Sequence, residues 1–474
     1  MTRDLRVDIC VIGAGSGGLT MAAGASQMGA ETALIEGGKM GGDCLNYGCV
    51  PSKSLLAAAR AAEGMRRGGR FGVDGAEPAV DFARVHDHVH DVIARIAPND
   101  SVERFEGLGV KVIREYARFS GPRRVEAGDV AVSARRFVIA TGSRPRIPPI
   151  PGLESVSYLT NETIFDLTEL PEHLLVMGGG PIGMEMAQAH RRLGARVTVL
   201  ERLRILPRDD PELVDFVRRR LTAEGVDLIE GIEIDRVERA GRGVAVFAVK
   251  DGAERRIEGT HLLIAVGRRP NVDGLDLEAA GIAYGEKGIA VDGRLRTSNK
   301  RVFAIGDVIG GYLFTHMAGY HAGVVIRNAL FRLPAKVDYR AVPWVTYTEP
   351  ELAHVGMGEK QAREAMGDIR VLRWPFSDND RAQTERDTDG MVKAIATRKG
   401  RVVGASIVGH HAGELLLPWS LAIDRRIPLG KIAGLIAPYP TLSEASKRAA
   451  AGFYTDKLFS ARTRKLVRFL SRFG

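Results

Sequence analysis

The chain has 474 residues, of which 45% are hydrophobic and 26% charged, with a formal net charge of +9 at pH 7. This composition is that of an ordinary globular protein, and the length suggests about three domains. No apolar run is long enough to cross a bilayer, and no nucleic-acid motif accompanies the positive charge, which argues against a transmembrane protein and a nucleic-acid partner. Residues 1–6 lack a signal-peptide core, which predicts a cytoplasmic location.

The first predicted elements are a buried strand over residues 7–12, a glycine-rich turn, a helix of small residues and a second strand. In this context the glycines predict a dinucleotide-binding fingerprint rather than a bare turn. Gly13 permits the tight turn, Gly15 lets the backbone approach a pyrophosphate, and Gly18 allows close packing of helix on strand. The helix N-terminus then faces the phosphates. Glu36, at the end of the second strand, is placed to accept a ribose hydroxyl.

Two of the three cysteines, Cys44 and Cys49, lie in a glycine-rich stretch shortly after this fingerprint. A chain so poor in cysteine gains little stability from a small disulfide loop, which argues against a structural staple. Two thiols without a nearby His or third Cys make an incomplete metal site. A redox-active pair beside a bound cofactor therefore explains the placement better than metal binding. The third cysteine, Cys10, lies in the first strand and is predicted to be a core residue.

The segment GGDCLNYGCVPSK over residues 41–53 resembles the active-site disulfide of the flavoprotein disulfide reductases. This family includes glutathione reductase, lipoamide dehydrogenase and mercuric reductase, and the resemblance covers almost the whole chain. It implies FAD at the first fingerprint, with Cys49 next to the flavin and Cys44 as the exposed thiol that attacks substrate. Lys53 matches the family lysine near the flavin N5, and Glu185 matches the glutamate that pairs with that lysine.

Three histidines, His86, His88 and His90, lie together on a predicted helix. Only His86 and His90 share a face of that helix, and no acidic or thiol ligand completes the set. The sequence therefore predicts surface histidines, and no metal site is predicted anywhere in the chain.

The fingerprint pattern repeats later in the chain, with a strand over residues 174–177, a glycine-rich turn, a helix and a strand that ends at Glu201. Two fingerprints predict two dinucleotides, as expected of a flavoenzyme supplied by a nicotinamide. Glu201 would bond the adenosine ribose and repel a 2′-phosphate, which favours NADH. Arg202 and Arg204 follow directly and leave NADPH as the alternative. The glycines of this second fingerprint are Gly178, Gly180 and Gly183.

Three further segments resemble landmarks of the family. Residues 137–145 resemble the strand and turn that close the FAD domain, residues 263–271 their counterpart in the NAD domain, and residues 297–308 a second FAD-contacting motif. There Asp307 would bond the ribityl chain, because a buried aspartate needs a polar partner; an aspartate that caps a following helix is the alternative. The other cofactor-binding residues that the resemblance implies are Ala117, Thr141, Gly142, Gly267, Met317 and Ala318.

From about residue 342 the sequence changes to strand-like segments and two helical stretches, which resemble the family's interface domain. The predicted class is α/β, with two Rossmann-like dinucleotide-binding domains and a C-terminal α+β dimerisation domain. Residues 1–150 and 273–341 are assigned to the FAD domain, 151–272 to the NAD(P) domain and 342–474 to the interface domain. The resemblance implies a homodimer in which each subunit sends residues into its partner's active site.

The family pattern changes near the C-terminus. Lipoamide dehydrogenase and glutathione reductase carry a His-Pro-Thr stretch whose His is the acid–base catalyst, whereas Tyr439 occupies that position here and Glu444 is retained. Oxidising a dithiol requires a base near neutral pH; histidine has a pKa of about 6.5 and tyrosine one of about 10. A tyrosine here resembles mercuric reductase and the reactive-chlorine resistance flavoproteins. No cysteine follows Cys49, however, so the C-terminal pair that delivers Hg(II) in mercuric reductase has no counterpart.

The sequence therefore predicts an FAD-dependent NAD(P)H oxidoreductase that passes electrons through the flavin and the Cys44–Cys49 disulfide to a small electron acceptor. The acceptor is a disulfide, a soft metal ion or a small oxidant. Two alternatives stay open, namely dihydrolipoamide dehydrogenase and a flavoprotein redox sensor or electron-transfer partner.

The tail over residues 457–474 is the other departure from the family. An apolar stripe and a set of cations share a predicted helix, a pattern typical of contact with an anionic membrane surface or an acidic partner. Such contact would place the enzyme peripherally at the inner membrane; packing of the stripe on its own domain is the equal alternative. The stripe is Leu466, Phe469, Leu470 and Phe473, and the cations are Arg462, Arg464, Lys465, Arg468 and Arg472.

Overall fold

Residues 3–473 are described by the computed structural model. The chain forms two compact units, one made of Met1–Arg202 with Asp227–Val337 and the other of Leu203–Val226 with Asp338–Gly474. The second unit thus includes a segment that the sequence assigns to the NAD(P) domain. The finer division into four segments stays a prediction.

The first unit contains both fingerprints. Its strands are β1 (Arg3–Ile12), β2 (Thr32–Ile35), β3 (Val110–Ile113), β4 (Ala117–Gly121), β5 (Arg124–Ala127), β6 (Val130–Ile139), β7 (Ser143–Pro145), β8 (His173–Met177), β9 (Arg196–Glu201), β10 (Asp227–Glu230), β11 (Glu233–Ala240), β12 (Gly243–Lys250), β13 (Ala253–Gly259), β14 (His261–Ile264), β15 (Arg268–Pro270), β16 (Tyr284–Gly285), β17 (Gly288–Ile289) and β18 (Val302–Ala304). Its helices are α1 (Ser16–Gln27), α2 (Gly42–Asn46), α3 (Cys49–Arg66), α4 (Phe82–Ile96), α5 (Val102–Gly107), α6 (Pro181–Leu193) and α8 (Thr315–Ala329).

A seven-stranded sheet forms the centre of the first unit, in the order β3-β2-β1-β6-β5-β4 with β18 paired to β6. Strands β2, β1, β6 and β18 run parallel, and residues 9–12 of β1 are fully apolar because helices or further strands cover both faces. The predicted core residue Cys10 is fully buried here, as expected. Strands β1 and β2 end at the same edge, which places Gly13 and Glu36 side by side.

A second parallel sheet, in the order β10-β9-β8-β14, contains the second fingerprint. A three-stranded antiparallel sheet of β11, β12 and β13 lies between β10 and β14 in the chain. The two segments that resemble domain-closing turns pair with each other, because β7 lies antiparallel to β15 with Arg144 opposite Arg269. Together with the C-terminal sheet described next, this architecture confirms the predicted α/β class.

The second unit contains helix α7 (Pro211–Ala223) and the C-terminal elements. Its strands are β19 (Pro343–Thr346), β20 (Glu351–Gly356), β21 (Ile369–Pro375), β22 (Met391–Thr397) and β23 (Val402–Gly409). Its other helices are α9 (Glu359–Met366), α10 (Asp380–Thr384), α11 (Ala412–Leu415), α12 (Leu417–Asp424), α13 (Leu429–Ala433), α14 (Ser443–Leu458) and α15 (Ala461–Leu470). The strands form one antiparallel sheet in the order β19-β20-β23-β22-β21, which packs around the buried side chains of Trp419 and Phe376.

The predicted amphipathic tail forms helix α15, which begins after Ser460, whose side chain accepts a hydrogen bond from the Thr463 N–H. No residue of this helix is buried, and Phe473 lies beyond its end. Each residue of the apolar stripe is more than half exposed, so the stripe is not buried on the rest of the described chain. Between residues 3 and 473, no helix combines the length and the apolar character needed to cross a membrane.

Candidate active site

The first fingerprint is closed by contacts that only glycine allows. A Cβ atom on Gly18 would lie 1.8 Å from the carbonyl oxygen of Gly13, so helix α1 approaches strand β1 too closely for any other side chain. No side chain caps α1 at Gly15, and the backbone N–H groups of its first turn are therefore available to a phosphate. The carboxylate of Glu36 accepts hydrogen bonds from the N–H groups of Ala14 and Gly38, both at 2.6 Å. This cradle fits the pyrophosphate and ribose of a dinucleotide.

The second fingerprint repeats the arrangement. Helix α6 starts at Pro181, a favoured first helical residue, and no side chain caps it at Gly180. The carboxylate of Glu201 accepts a hydrogen bond from the Gly179 N–H at 2.6 Å, as Glu36 does in the first fingerprint. Arg202 forms an exposed ion pair with Glu233 at 3.8 Å. The residues present therefore fit a second dinucleotide.

The cysteine segment packs directly on the first fingerprint. A Cβ atom on Gly42, whose φ is +59°, would lie 2.7 Å from the Cα atom of Gly15, which explains the glycines that precede Cys44. Cys44 lies on helix α2 and Cys49 begins helix α3. Both are free thiols, with Cys49 exposed and Cys44 half-buried. The assignment of Cys49 to the flavin side and of Cys44 to the substrate side stays a prediction.

The surroundings of Cys49 favour a thiolate. Its Sγ atom lies 3.5 Å from the hydroxyl of Thr315, the first residue of helix α8, and Cys49 is itself the first residue of α3. The sulfur therefore lies near the start of two helices, where partial positive charge favours a thiolate. A hydrogen bond from Cys44 lowers the pKa of Cys49 to about 6, helped by Thr315 and the charge of Lys53 and opposed by desolvation. The same hydrogen bond raises the pKa of Cys44. In the reduced pair the lowered pKa thus belongs to Cys49 and the raised pKa to Cys44.

The expected Lys53–Glu185 pair is present. The Nζ atom of Lys53 donates to Glu185 Oε2 at 2.8 Å and to the Ser52 hydroxyl at 3.3 Å. Glu185 is buried on helix α6, so the pair links the cysteine helix α3 to the second fingerprint. Its role beside a flavin stays a prediction.

A polar network that sequence reasoning missed surrounds Asp43, the residue before Cys44. The guanidinium of Arg268 donates to Asp43 at 2.9 Å and to the Ser143 hydroxyl at 2.7 Å. Ser143 donates in turn to Asp307 at 2.6 Å. Burial raises the pKa of Asp307, while Ser143 and Arg268 oppose that rise. An arginine in the turn after a strand carries no distinctive local pattern, so only the fold could connect Arg268 to the cysteine segment.

The remaining expected cofactor residues lie around the central sheet of the first unit. Thr141 donates from its hydroxyl to the carbonyl oxygen of Asn271 at 2.7 Å, and Met317 and Ala318 are buried in the first turn of α8. Ala117 is buried at the start of β4. Their contacts with FAD stay predictions, as do those of Gly142 and Gly267.

Cys44 also lines a cleft of about 390 Å³. Apolar side chains of Leu19, Leu45 and Phe105 form much of the wall, and Asp100 and Arg104 add the charged groups. The carboxyl pKa of Asp100 is raised by burial, although Arg104 opposes the rise. A small molecule or ion in this cleft would contact Cys44 directly.

Tyr439 and Glu444, the expected acid–base residues, belong to the second unit. Tyr439 is exposed, and its hydroxyl donates to the carboxylate of Asp380 at 3.0 Å. This hydrogen bond raises the pKa of Tyr439. Glu444 lies in the first turn of α14. A tyrosine held in its neutral form can donate a hydrogen bond but is a poor base at neutral pH.

The histidines of helix α4 are arranged as the sequence suggests. The rings of His86 and His90 lie 4.2 Å apart, and His90 forms a hydrogen bond with the carbonyl oxygen of Phe165.

Sequence comparison identifies the family. Residues 7–322 match the pyridine nucleotide-disulphide oxidoreductase family, and residues 342–450 match its dimerisation domain. The chain belongs to this family. It is an FAD-dependent NAD(P)H oxidoreductase, and the dimerisation domain indicates a homodimer.

Several relatives share most of their length with this chain. A mercuric reductase of Streptomyces lividans is 36% identical over 95% of this chain and 96% of the relative. A dihydrolipoyl dehydrogenase of Geobacillus stearothermophilus is 34% identical over 94% and 96%, respectively. Among solved structures, the Cu(II) complex of the HOCl-induced flavoprotein disulfide reductase RclA from Escherichia coli has a TM-score of 0.84 at 30% identity. The structural match covers 94% of this chain and 99% of the RclA chain.

Proposed function

We propose that this enzyme uses Cys44 and Cys49 to reduce a small electron acceptor at the expense of NADH, and that a soft metal ion is the acceptor class that suits it best. The observation that carries the proposal is the reduced pair itself, in which Cys49 is held as a thiolate and Cys44 faces a cleft. Similarity to mercuric reductases and to an RclA that forms a Cu(II) complex supports the same acceptor class.

Proton balance distinguishes the acceptors. Formation of the Cys44–Cys49 disulfide from one thiol and one thiolate releases two electrons and one proton. Those electrons reduce one Hg(II) to Hg(0), or two Cu(II) to two Cu(I), and neither product takes up a proton. A disulfide acceptor yields two thiols and requires two protons, which a positioned acid must supply. Metal reduction therefore needs no proton donor, and the single proton that Cys44 releases can pass to a carboxylate such as Glu444, so Tyr439, whose pKa is raised by Asp380, need not exchange a proton in this reaction.

The remaining site residues would bind and orient the two cofactors and set the charge around the cysteine pair. When bound, FAD supplies two-electron transfer between a nicotinamide and the cysteine pair. Gly15 and Glu36 would hold its pyrophosphate and ribose, and Asp307 its ribityl chain. Lys53 keeps positive charge near Cys49, and Thr315 donates to the thiolate. Glu201 would hold the adenosine ribose of NADH in the second fingerprint.

The test is NADH oxidation by the purified flavoprotein with Hg(II), Cu(II), lipoamide and glutathione disulfide in parallel. We expect turnover with a metal ion, little turnover with either disulfide, and loss of metal turnover in Cys44→Ser. Cys10→Ser is the matched control, because Cys10 is buried in the core and should not affect any acceptor. Metal reduction that is equal in Cys44→Ser and the parent enzyme would refute the proposal.

Dihydrolipoamide dehydrogenase is the second candidate, favoured by 34% identity over nearly the whole chain. Tyr439→His separates the two. If Tyr439 limits the reaction, this substitution supplies a base with a pKa of about 6.5 and should raise dihydrolipoamide oxidation without improving metal reduction. Fast lipoamide turnover in the parent enzyme would instead favour the dehydrogenase.

We also infer that helix α15 docks the enzyme on an anionic lipid surface. No residue of the helix is buried, and isolated helices this short are marginal in water. Its cations have no acidic neighbour between Ala461 and Phe473, so the charge complements an anionic membrane. Each Lys or Arg near such a surface contributes about 1 kcal/mol, and the apolar stripe adds to binding.

Vesicle sedimentation tests the inference. We expect binding to vesicles that contain phosphatidylglycerol, weak binding to pure phosphatidylcholine, and loss of binding in Arg464→Glu/Arg468→Glu. The double variant Arg398→Glu/Lys399→Glu, at two exposed cations of the same unit, is the matched control. If the double variant binds as well as the parent enzyme, the lipid inference is wrong. A change in oligomeric state without vesicle binding would also reject it and indicate a second copy of the chain as the occupant.

A further inference from the structure

Three strands of the C-terminal sheet bring metal-ligating side chains to one edge. Strands β20, β23 and β22 are neighbours, with Glu351 opposite Gly409 and Met391 opposite Val408. The start of β20, the end of β23 and the start of β22 therefore lie together. Each of these strand ends is flanked by one residue of a ligating type.

Those residues are Glu349, His410 and Asp387. Glu349 stands two residues before β20, His410 directly follows β23, and Asp387 stands four residues before β22. One carboxylate oxygen from each acid and one ring nitrogen of the histidine all lie within 4.8 Å of one another. An ion with bonds of about 2.1 Å brings tetrahedral ligands to about 3.4 Å separation, so small side-chain movements suffice to close the site.

Of the three, Asp387 differs from the acidic residues close to it in the sequence. Asp389, two residues after Asp387, is paired with Arg220 at 3.0 Å, and Glu351 accepts a hydrogen bond from the Gly413 N–H at 2.9 Å. Within residues 3–473, by contrast, no side chain forms an ion pair or hydrogen bond with the carboxylate of Asp387.

The histidine provides the nitrogen ligand that a purely acidic cluster lacks. The ring of His410 is half-buried and contacts the ring of His411, with 3.8 Å between centroids. This contact restricts the orientation of the imidazole. Within residues 3–473, neither ring nitrogen of His410 forms a hydrogen bond with another protein group, so both remain available to an ion.

We propose that Glu349, Asp387 and His410 bind a divalent first-row transition-metal ion. One imidazole and two carboxylates suit Zn²⁺, Mn²⁺, Fe²⁺ or Co²⁺, and three protein ligands leave positions for water. The oxygen-rich set is unsuited to Hg²⁺ and so differs from the thiol pair of the first unit. The bound ion would fasten three strand ends of the C-terminal sheet.

Co²⁺ is the probe, because its visible absorption reports the ligand set. The experiment uses the flavoprotein with Cys44→Ser and Cys49→Ser, since the thiols would otherwise bind the ion. We expect one Co²⁺ per chain, displaceable by Zn²⁺, and at least tenfold weaker binding in His410→Ala and in Asp387→Asn. The double variant His86→Ala/His90→Ala is the matched control, because it removes the paired histidines of helix α4, and it should bind as the parent does.

A second readout is independent of the flavin. All three tryptophans, Trp344, Trp374 and Trp419, lie in the second unit. Their fluorescence therefore reports unfolding of the unit that contains the proposed site, and Zn²⁺ should raise its unfolding midpoint only when His410 is present. The proposal is overturned by binding that is equal in His410→Ala and the parent, by binding lost in the His86→Ala/His90→Ala control, or by the absence of saturable binding.

Discussion

Cys49 lies where two helices begin, because α3 starts at Cys49 itself and α8 starts at Thr315. Both helix N-termini carry partial positive charge, and the hydroxyl of Thr315 adds a hydrogen bond at 3.5 Å. The proton of the reduced pair therefore stays on Cys44. Such an asymmetric pair is suited to redox work, since one sulfur is already in its nucleophilic form while the other retains a transferable proton.

Thr315→Val should raise the pKa of Cys49 from about 6, because it removes a hydrogen bond that lowers the pKa. In the parent enzyme the thiolate is present above about pH 6 and is lost as the pH falls below it. The measurement is the alkylation rate of Cys49 against pH in the reduced enzyme, followed by peptide mass spectrometry. The control is Thr20→Val, because Thr20 lines the same cleft as Thr315 and Cys44. An unchanged midpoint in Thr315→Val would show that Cys44 and Lys53, without Thr315, lower the pKa of Cys49.

The packing of helix α1 on strand β1 depends on the close approach of Gly18 to the carbonyl oxygen of Gly13. Gly18→Ala would place a Cβ atom 1.8 Å from the Gly13 carbonyl oxygen, so the helix must shift away from the phosphate position. We expect this variant to be purified with little FAD, as measured by flavin absorbance per chain. The control is Gly64→Ala on helix α3, where a Cβ atom meets nothing within 4 Å and should stabilise by about 0.5–1 kcal/mol. Normal flavin content in Gly18→Ala would show that FAD binding does not depend on this close approach.

A buried lysine organises the second unit. Lys393 on β22 is 3% exposed and pairs with Asp210 at 2.7 Å and with Glu212 and Glu359 at 2.9 Å. Lys393→Met leaves these carboxylates without their shared cation, and removing one member of a buried ion pair costs about 3–5 kcal/mol. We expect a loss of that order in urea unfolding followed by tryptophan fluorescence.

The control is Lys399→Met, at an exposed lysine close to Lys393 in the sequence, and it should leave the free energy of unfolding nearly unchanged. Low pH should also lower the free energy of unfolding of the parent enzyme, because it protonates a carboxylate of the same cluster. Arg373 and then Lys393 hold the pKa of Glu212 at about 2, so its contribution is present above its ordinary value near 4.3 and is lost as the pH falls towards about 2. Equal stability of both lysine variants would show that the buried cluster does not stabilise this unit.

These elements show what a sequence can and cannot reveal. The two fingerprints are predictable because glycine spacing and strand periodicity are local sequence patterns. The Lys53–Glu185 pair spans 132 positions and was accessible only through family resemblance. Arg268 and Thr315 come close to the cysteine segment because of how strands pair and where helix α8 packs. Neither feature produces a periodic pattern in the sequence. Burial of the tail stripe depends on what lies opposite it, and local sequence does not encode that.

At the scale of the whole molecule, the expected acid–base residues and the cysteines belong to different units, and the dimerisation domain indicates a homodimer. If each active site combines Cys44 of one subunit with Glu444 of its partner, two inactive variants should complement each other. In a hybrid of Cys44→Ser and Glu444→Gln subunits, one site carries both lesions and the other carries neither. Random reassortment makes about half of the dimers hybrid, so about one quarter of parental activity should return.

The measurement is metal-dependent NADH oxidation after the two variants are mixed, dissociated and reassembled. Each variant alone, treated identically, is the control and should stay inactive. Because reassortment is needed, recovery should follow the appearance of hybrid dimers, detected by mass from a tag on one subunit. Hybrids that form without any activity would place both residues in the site of the same subunit. Full activity of Glu444→Gln alone would show that the Glu444 carboxylate takes no part in the reaction. A return near one quarter requires sites shared between subunits, since a site built within one chain would carry a lesion in every dimer.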